Sequence, residues 1–443
     1  MSKEVSLVVL SHGLWGVKKH MLYIEQKLQA KYGDSIYILN AGVNEAKYSY
    51  DGIDICGRRL AQEIESTVVR LGKNGTQVTR FSIIGYSLGG LITRYTIGLL
   101  AQRGFFGAIQ PDYYVSFATP HLGVKGPSHS LFSSFFNFVS GRMVSRSGEQ
   151  LQLIDKFEKN KPILEVLSDP DQVYFKTLAK FKVKRSYANV ANDRTVPYWT
   201  AGMEIMDYFY ESKGKLDMYS NAIAIPPIFF LLTLMYITRT LDKKYSSVIT
   251  AYDIKAPGTP KEKQPLKPRL LKCLLYLFLA IISPFFFILA FSAIGIQGLI
   301  SRYRVSGLLQ SGGDMMPSVD SEHTTLNQDD RLMDGDLLAG ALDAVNLPGD
   351  SSPPLKHSNS YSDQKSILCH SPGKCLAEKA KPLPLDQTTL SIHKNLNLLD
   401  WEKVYVYIRA FNAHGSIVCR EKRFTVDAGE ATIQHFIDTT QLS

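Results

Sequence analysis

The sequence has few cysteines, and none of them lies in a recognisable ligand pattern. Its five cysteines are scattered through 443 residues, which argues against a disulfide framework and favours a reducing, cytosol-facing compartment. Cys369, His370 and Cys375 have no known metal-ligand spacing, so we expect no metal site and no cofactor. The apolar run 5–10 is too short for a signal-peptide core, and we expect no cleaved targeting sequence.

Acidic residues are in deficit. There are 50 lysines and arginines against 41 aspartates and glutamates, which gives a formal net charge of +9 and favours an anionic partner. The chain has no nucleic-acid module and no basic stripe interleaved with aromatics. We therefore expect an anionic lipid surface as partner and no contact with nucleic acid.

Charged residues are absent from a long apolar stretch, 273–300. This stretch exceeds the roughly 20 apolar residues that cross a bilayer. Lysines and arginines flank it on both sides, which favours both ends facing the cytosol. A shorter apolar segment lies at 223–237. A purely soluble protein is therefore not expected.

Up to about residue 200, short apolar runs alternate with helical patterns. This alternation is typical of βαβ units and predicts a mostly parallel sheet. The predicted strands are 5–10, 36–39, 81–84, 113–117, 185–190 and, much later, 404–408; the predicted helices are 17–31, 53–71, 88–102 and 431–439.

A Gly-x-Ser-x-Gly sequence at 85–89 lies between a predicted strand and a predicted helix. This is the setting of a nucleophile elbow, where a sharp turn exposes the central serine. The flanking positions must be small, which explains Gly85 and Gly89. The pattern predicts Ser87 as a nucleophile, and a chance pentapeptide at an ordinary turn is the alternative.

A second loop, 11–16, follows the first predicted strand and is similar to the His-Gly loop that lines the oxyanion hole of many lipases. Acyl transfer needs amide donors for the developing oxyanion. The backbone N–H groups of Leu14 and Leu88 are our candidates. His12 and Gly13 are expected to shape the loop, with His12 in a structural role.

The serine needs a base, and the base needs a carboxylate to orient it. Asp193 follows the fifth predicted strand and is the candidate acid, although an Asx-turn or a helix cap would also explain it. His414 follows the last predicted strand and is the preferred general base over His393 and His435. His121 also follows a strand, and either substrate contact or structural support would explain it.

Five motifs, at 11–16, 85–90, 118–123, 192–197 and 412–415, together resemble the putative serine esterase family of α/β-hydrolases. The likeness is strongest to its fungal lipid-droplet phospholipase branch. The resemblance implies an α/β-hydrolase fold, deacylation of glycerophospholipids, and Ser87, Asp193 and His414 as nucleophile, acid and base. The segment 223–237 has no counterpart in it.

The resemblance and the composition divide the chain into four parts. Low apolar periodicity and many Ser, Pro, Asp and Gly residues predict disorder in the third part. The parts are a hydrolase core at 1–210 with a cap at about 124–181, a hydrophobic membrane-associated insertion at 218–304, a disordered linker at 305–388, and a C-terminal part of the core at 389–443 that carries His414.

The order of these parts restricts the membrane topology. Asp193 precedes both apolar segments and His414 follows both, yet the two side chains must meet in one site. The number of crossings between them must therefore be even. Either both segments cross as a pair, or the longer one returns at Ser283-Pro284, where proline disrupts the helix. A buried core helix is the alternative to both.

The expected function is serine-dependent hydrolysis of lipid acyl esters through an acyl-enzyme. We expect a phospholipase at a lipid-droplet or endoplasmic reticulum surface, with its catalytic domain facing the cytosol. Three alternatives stay open from the residues alone: a neutral lipid lipase for acylglycerols or sterol esters, a protein thioesterase, and a non-catalytic lipid-binding scaffold that has a hydrolase fold.

Overall fold

A computed structural model of the chain describes most of the predicted core. The described residues are 3–124, 145–191, 193, 195–207, 237–241, 244–254, 292, 295–308, 381–410 and 412–442. In chain order the elements are β1 (Lys3–Ser11), α1 (Leu22–Tyr32), β2 (Ile36–Asn40), α2 (Ile53–Lys73), β3 (Thr76–Tyr86), α3 (Leu88–Gln102), β4 (Gln110–Phe117), α4 (Arg146–Leu151), α5 (Ile163–Ser168), α6 (Val173–Lys180), β5 (Val183–Asn189), α7 (Tyr198–Ala201), β6 (Met206–Asp207), β7 (Ile237–Leu241), β8 (Ile249–Ile254), α8 (295–308), β9 (Lys381–Pro382), α9 (Gln387–Leu396), β10 (Trp401–Val406), α10 (Ala413–Ser416) and α11 (Asp427–Asp438).

Six strands form the main sheet, in the order β10-β5-β4-β3-β1-β2, and every neighbouring pair is parallel. The chain moves from β1 outward to β2 and then back to β3 on the other side of β1. Loops that follow β1 and β3 therefore diverge at the carboxyl edge of the sheet and leave a crevice there. This topological switch point is where a ligand site is expected.

Helices cover both faces of the sheet. Along β1, Leu7 and Val9 pack into the core beneath α2 and α3, whereas Val8 and Leu10 pack into the core beneath α1 and α11. A strand buried on both sides has no polar face and reads as a continuous hydrophobic run. The prediction of a mostly parallel sheet is confirmed, and helices cover both of its faces.

The C-terminal residues complete this sheet. β10 pairs with β5, with Val404 opposite Tyr187. An ion pair between Arg185 and Glu402, at 2.7 Å, joins the same two strands. Behind them, α11 packs on α1. The residues after the apolar segments therefore belong to the same sheet as the residues before them.

The predicted boundaries differ from the observed ones at several points. The helix predicted from 17 begins at Leu22, because a 3-10 turn at Lys18–Met21 precedes it. Contacts from outside hold that turn: Lys18 N donates to Glu45 Oε1 at 2.8 Å, and Asn40 Nδ2 donates to Lys18 O at 3.1 Å. The helix predicted at 431–439 begins earlier, at Asp427.

Part of the predicted cap, 125–144, lies outside the described residues. The described residues in the range predicted as a cap pack on the helices of the core. Tyr174 of α6 stacks on Tyr95 of α3 with ring centroids 5.1 Å apart. Gly98 makes this close approach possible, since a Cβ there would clash with Tyr174.

Most of the predicted hydrophobic insertion and linker also lies outside the described residues. The apolar segment 223–236, residues 273–291 and the linker residues 309–380 belong to this group. At the linker's two ends, α8 continues to residue 308 and α9 begins at Gln387. Within the described ranges, no helix has both the length and the apolar character needed to cross a membrane.

Candidate active site

Ser87 occupies a strained turn between β3 and α3. Its φ of 55° and ψ of −127° lie outside the regions that non-glycine residues favour. Such a conformation costs on the order of 1–3 kcal/mol, and the surrounding structure must hold it. Ser87 N donates to Phe117 O at 2.9 Å, and Ser87 O accepts from Gly90 N at 3.1 Å. The backbone on both sides of the turn is therefore fixed.

The two glycines of the motif allow the turn to pack. A Cβ on Gly85 would clash with the backbone of Gly90, and a Cβ on Gly89 would clash with the carbonyl oxygens of Ser11 and His12. These clashes involve backbone atoms, which cannot move aside cheaply. Close approach, rather than chain flexibility, explains both glycines.

His414 lies in the short helix α10, beyond the carboxyl end of β10. The Asn412 side chain accepts the Gly415 N–H at 2.8 Å and caps this helix. The hydroxyl of Tyr86 donates to the carbonyl of His414 at 3.0 Å, and the two rings lie 5.1 Å apart. The residue that precedes Ser87 in the chain therefore helps to position the imidazole.

One chain of hydrogen bonds joins the three predicted residues. His414 Nε2 lies 3.0 Å from Ser87 Oγ, and His414 Nδ1 lies 2.9 Å from Asp193 Oδ2. The Asp193 carboxylate is only 1% exposed. A carboxylate only accepts hydrogen bonds, so it favours the tautomer with the proton on Nδ1. Nε2 then presents a lone pair to the Ser87 hydroxyl.

Asp193 also makes the Asx-turn that the sequence left as its alternative role. Its other oxygen, Oδ1, accepts the N–H groups of Thr195 at 3.1 Å and Val196 at 2.8 Å. The two oxygens therefore have separate partners. Oδ1 orders the loop, and this order holds Oδ2 against the imidazole.

The candidate oxyanion loop lies directly against the serine. A Cβ on Gly13 would come within 2.7 Å of Ser87 Cβ and 3.2 Å of Ser87 Oγ. Leu14 follows Gly13, and Leu88 is the first residue of α3, where helix N–H groups have no intrahelical acceptor. Neither amide donates a hydrogen bond within the described residues. Both amides therefore remain candidate donors.

The residues after Leu14 are held from a separate segment, 46–51. Trp15 N donates to Ser49 Oγ at 2.8 Å, and Ala46 N donates to Gly16 O at 2.9 Å. The rings of Trp15 and Tyr50 lie 5.6 Å apart. This segment therefore supports the candidate oxyanion loop from behind.

The structure places His12 and His121 outside the hydrogen-bonded chain. His12 is buried with Nδ1 3.0 Å from Gly13 O, and burial lowers the pKa of its imidazole. His121 is also buried, with Nε2 2.8 Å from Ser116 Oγ and its ring 5.3 Å from that of Trp401. Burial, with a smaller contribution from Arg94, holds the pKa of His121 well below its usual value. Both imidazoles lie among structural contacts.

Sequence patterns did not indicate Asn189, which connects the two loops of the site. Its Oδ1 accepts Ile408 N at 2.8 Å, and its Nδ2 donates to Ala191 O at 2.6 Å. One side chain thus joins the start of the Asp193 loop to the segment that leads to His414. Only its place at the end of a strand could have suggested this role. In the described ranges, no cluster of three or more potential metal ligands occurs.

The site consists of a serine on a strand-to-helix elbow, an imidazole hydrogen-bonded to it and a carboxylate that orients the imidazole. In the sequence these residues come in the order Ser, Asp, His. That order, on a parallel sheet with its loops at the carboxyl edge, is the order found in α/β-hydrolases. The chain therefore has the α/β-hydrolase fold, as the motifs predicted.

Residues 1–205 of the 443 match the family model described as "Putative serine esterase", so this part of the chain resembles that family. The match contains Ser87 and Asp193 but ends before His414, which joins the site only through the return of β10 to the sheet.

Two yeast proteins are similar to the chain. "Putative lipase C4A8.10" of Schizosaccharomyces pombe is 27% identical over 234 residues, which are 51% of this chain and 29% of that protein. "Putative lipase ROG1" of Saccharomyces cerevisiae is 28% identical over 212 residues, 46% of this chain and 30% of that protein. The matched part of the chain therefore spans less than a third of the length of these relatives. Their yeast origin agrees with the fungal branch of the resemblance.

A solved structure, the lin2722 gene product of Listeria innocua, aligns with a TM-score of 0.26 and 15% identity. The alignment covers 42% of this chain and 70% of that chain. The fold assignment rests on the strand order above and not on this alignment.

Proposed function

We propose that the chain hydrolyses acyl esters of glycerophospholipids at a lipid-droplet or endoplasmic reticulum surface. The single observation that carries the hydrolase part is the hydrogen-bonded chain from Ser87 through His414 to Asp193. Both yeast relatives are named "Putative lipase", which supports a lipid ester as substrate. The phospholipid head group rests on the motif resemblance.

The geometry supports a two-step acyl transfer. Ser87 Oγ attacks the carbonyl carbon of the ester while its proton passes to His414 Nε2. The amides of Leu14 and Leu88 stabilise the oxyanion, and the intermediate collapses as His414 protonates the departing alcohol oxygen. His414 then takes a proton from water, which attacks the acyl-enzyme; as the bond from the acyl carbon to Ser87 Oγ breaks, His414 returns that proton to Ser87 Oγ and the fatty acid leaves. Asp193 stabilises the imidazolium in both steps.

Contacts of residues 244–249, which lie between the two apolar segments, bear on the proposed topology. Lys244 pairs with Asp438 of α11 at 2.8 Å, and Tyr245 OH donates to the same carboxylate at 2.9 Å. Val248 forms a bridge with Val406 at the end of β10. One crossing by each segment would separate these residues from β10 and α11 by a membrane. The contacts therefore support segments that return to the side from which they start.

The substrate proposal is tested by incubating the full chain with a panel of labelled lipids. We expect vesicles of phosphatidylcholine and phosphatidylserine to release fatty acid and lysophospholipid about tenfold faster than triacylglycerol, sterol ester or an S-acylated peptide releases its acyl group. A reversed order would assign one of the other esters. Folded protein that hydrolyses none of them, and that a fluorophosphonate does not label, would instead be a lipid-binding scaffold.

Gly13→Ala tests the close contact between the oxyanion loop and the nucleophile. The added Cβ would lie 2.7 Å from Ser87 Cβ, so the loop or the serine must shift. We expect kcat/KM for a soluble p-nitrophenyl ester to fall by about 100-fold, since a displacement near 1 Å has that effect. Gly72→Ala in α2 is the matched control, because nothing lies near its Cβ. A Gly13→Ala enzyme with normal kcat/KM would place the oxyanion donors elsewhere.

A further inference from the structure

The helix α8 carries its large apolar side chains on the outside. Ile296, Leu299, Ile300 and Tyr303 are exposed by 57%, 69%, 47% and 84%. Their spacing of i, i+3, i+4 and i+7 places them on one face. The opposite face, with Ser301 and Val305 buried, lies against the hydrolase domain. A helix on the surface of a soluble domain normally turns most of its large apolar side chains inward.

This outward face is the largest concentration of such side chains in the described part of the chain. Among all the described residues, eight large apolar side chains are exposed, and four of these belong to α8. The others, Leu22, Val69, Ile154 and Leu398, are scattered over different elements. Single exposed apolar residues are ordinary, whereas a contiguous group marks an interaction surface.

A buried carboxylate holds the inner face of α8. Asp51 is fully buried, and Arg304 binds it through Nε at 3.0 Å and Nη2 at 2.6 Å. Ser301 Oγ donates to Asp51 at 2.5 Å, and Arg59 forms a second ion pair with it at 2.6 Å. Removing one partner would leave charge buried and unpaired. The inner contacts therefore fix which face of α8 points outward.

The sequence before α8 indicates what covers the outward face. The uncharged run 273–300 continues directly into this helix and contributes Ile296, Leu299 and Ile300 to the exposed face. Arg302 and Tyr303 follow where the charged residues resume, a pairing of residue types typical of a membrane interface. A lipid surface is the partner that fits both the uncharged run 273–300 and the exposed apolar face of α8.

We propose that α8 is the lipid-contacting surface of the hydrolase domain: its outward apolar face enters the interface while Asp51 fixes its inner face to the domain. The inference rests on the proposed action at a lipid surface and specifies which part of the domain meets it.

The attachment point of α8 is continuous with the support of the active site. Asp51 is the last residue of the segment 46–51 that holds the candidate oxyanion loop, where Ser49 Oγ accepts the amide of Trp15. The Arg304 guanidinium lies over the ring of Tyr48 in that segment, 4.8 Å from its centroid. The proposed lipid contact is therefore linked to the loop beside Ser87 through a short run of packed residues.

Fluorescence quenching tests the contact without requiring hydrolysis. In the full chain carrying Ser87→Ala, Tyr303→Trp adds an emitter on the proposed face, and Leu398→Trp adds a matched one at a site that is 63% exposed elsewhere. With vesicles of dibrominated phosphatidylcholine, the emission added by Tyr303→Trp should fall by more than about half, and that added by Leu398→Trp should not. Equal quenching of the two, or quenching of neither, would overturn the proposal.

Activity provides the second measurement. Ile296→Ser/Leu299→Ser/Ile300→Ser should lower hydrolysis of phosphatidylcholine vesicles by about tenfold and leave hydrolysis of soluble p-nitrophenyl butyrate unchanged. Leu22→Ser/Val69→Ser/Leu398→Ser is the matched control and should change neither rate. Equal losses on both substrates, or no loss on vesicles, would overturn the proposal. If the wild-type chain hydrolyses no ester, the proposed function fails, and the quenching result still decides the lipid contact.

Discussion

Ser87→Ala is expected to lower kcat/KM for every ester that the chain hydrolyses by on the order of 10⁴-fold or more. The methyl group cannot attack an acyl carbon, so the acyl-enzyme cannot form. Labelling by a fluorophosphonate should disappear for the same reason. Rates on phospholipid vesicles and on p-nitrophenyl butyrate measure the loss, and gel fluorescence measures the labelling.

The fold should survive this change. The Ser87 side chain makes its hydrogen bond to His414 Nε2, whereas the turn is held by backbone bonds to Phe117 and Gly90. We expect the melting temperature to change by a few degrees at most. Ser66→Ala, on an exposed position of α2, is the control and should retain full activity and labelling. Labelling that persists in folded Ser87→Ala protein would place the nucleophile elsewhere.

Much of the fold could be predicted because the sheet is parallel and buried on both faces. Residues 7–10 of β1 are all apolar, since alternate residues such as Val8 and Val9 pack into opposite cores. The loops that carry the site follow from the same topology. Parallel strands end at one edge, so residues just after β3, β5 and β10 must lie close together. Chain order then distinguished His414 from His393, which precedes β10.

The contacts that fine-tune the site could not be predicted, because they join distant residues through side-chain chemistry that leaves no periodic signal. The hydroxyl of Tyr86 reaches the carbonyl of His414 across 328 residues of sequence. Arg304 reaches Asp51 across 253 residues. Any of the many arginines could have filled that role on composition alone. Knowledge of which strands pair is needed before such partners can be named.

These distant contacts also connect parts of the chain that the sequence analysis treated as separate. It predicted an N-terminal part of the core, an apolar insertion and a C-terminal part of the core. In the structure, residues on either side of 255–291 pack on the core, at Val248 on one side and Arg304 on the other. The proposed lipid surface and the candidate active site therefore belong to one packed unit. The residues that pack between α8 and the loop beside Ser87 connect the two places, so a change at the surface of α8 can affect that loop.

Asp193→Asn is expected to lower kcat/KM by about 10⁴-fold while the loop stays folded. Asparagine keeps an oxygen for the amides of Thr195 and Val196, so the turn is preserved. Its NH₂ group would then face His414 Nδ1 as a donor. That contact favours the tautomer with the proton on Nε2, which can no longer accept the proton of Ser87.

Steady-state rates on a soluble ester measure the loss, and thermal unfolding verifies the fold. Asp400→Asn, at an exposed position before β10, should behave as wild type. Asp193→Ala removes both sets of contacts and should lose stability as well as activity, and this separates the orienting role from the structural one. A folded Asp193→Asn enzyme within about tenfold of wild type would show that the carboxylate orders its loop but does not set the state of the imidazole.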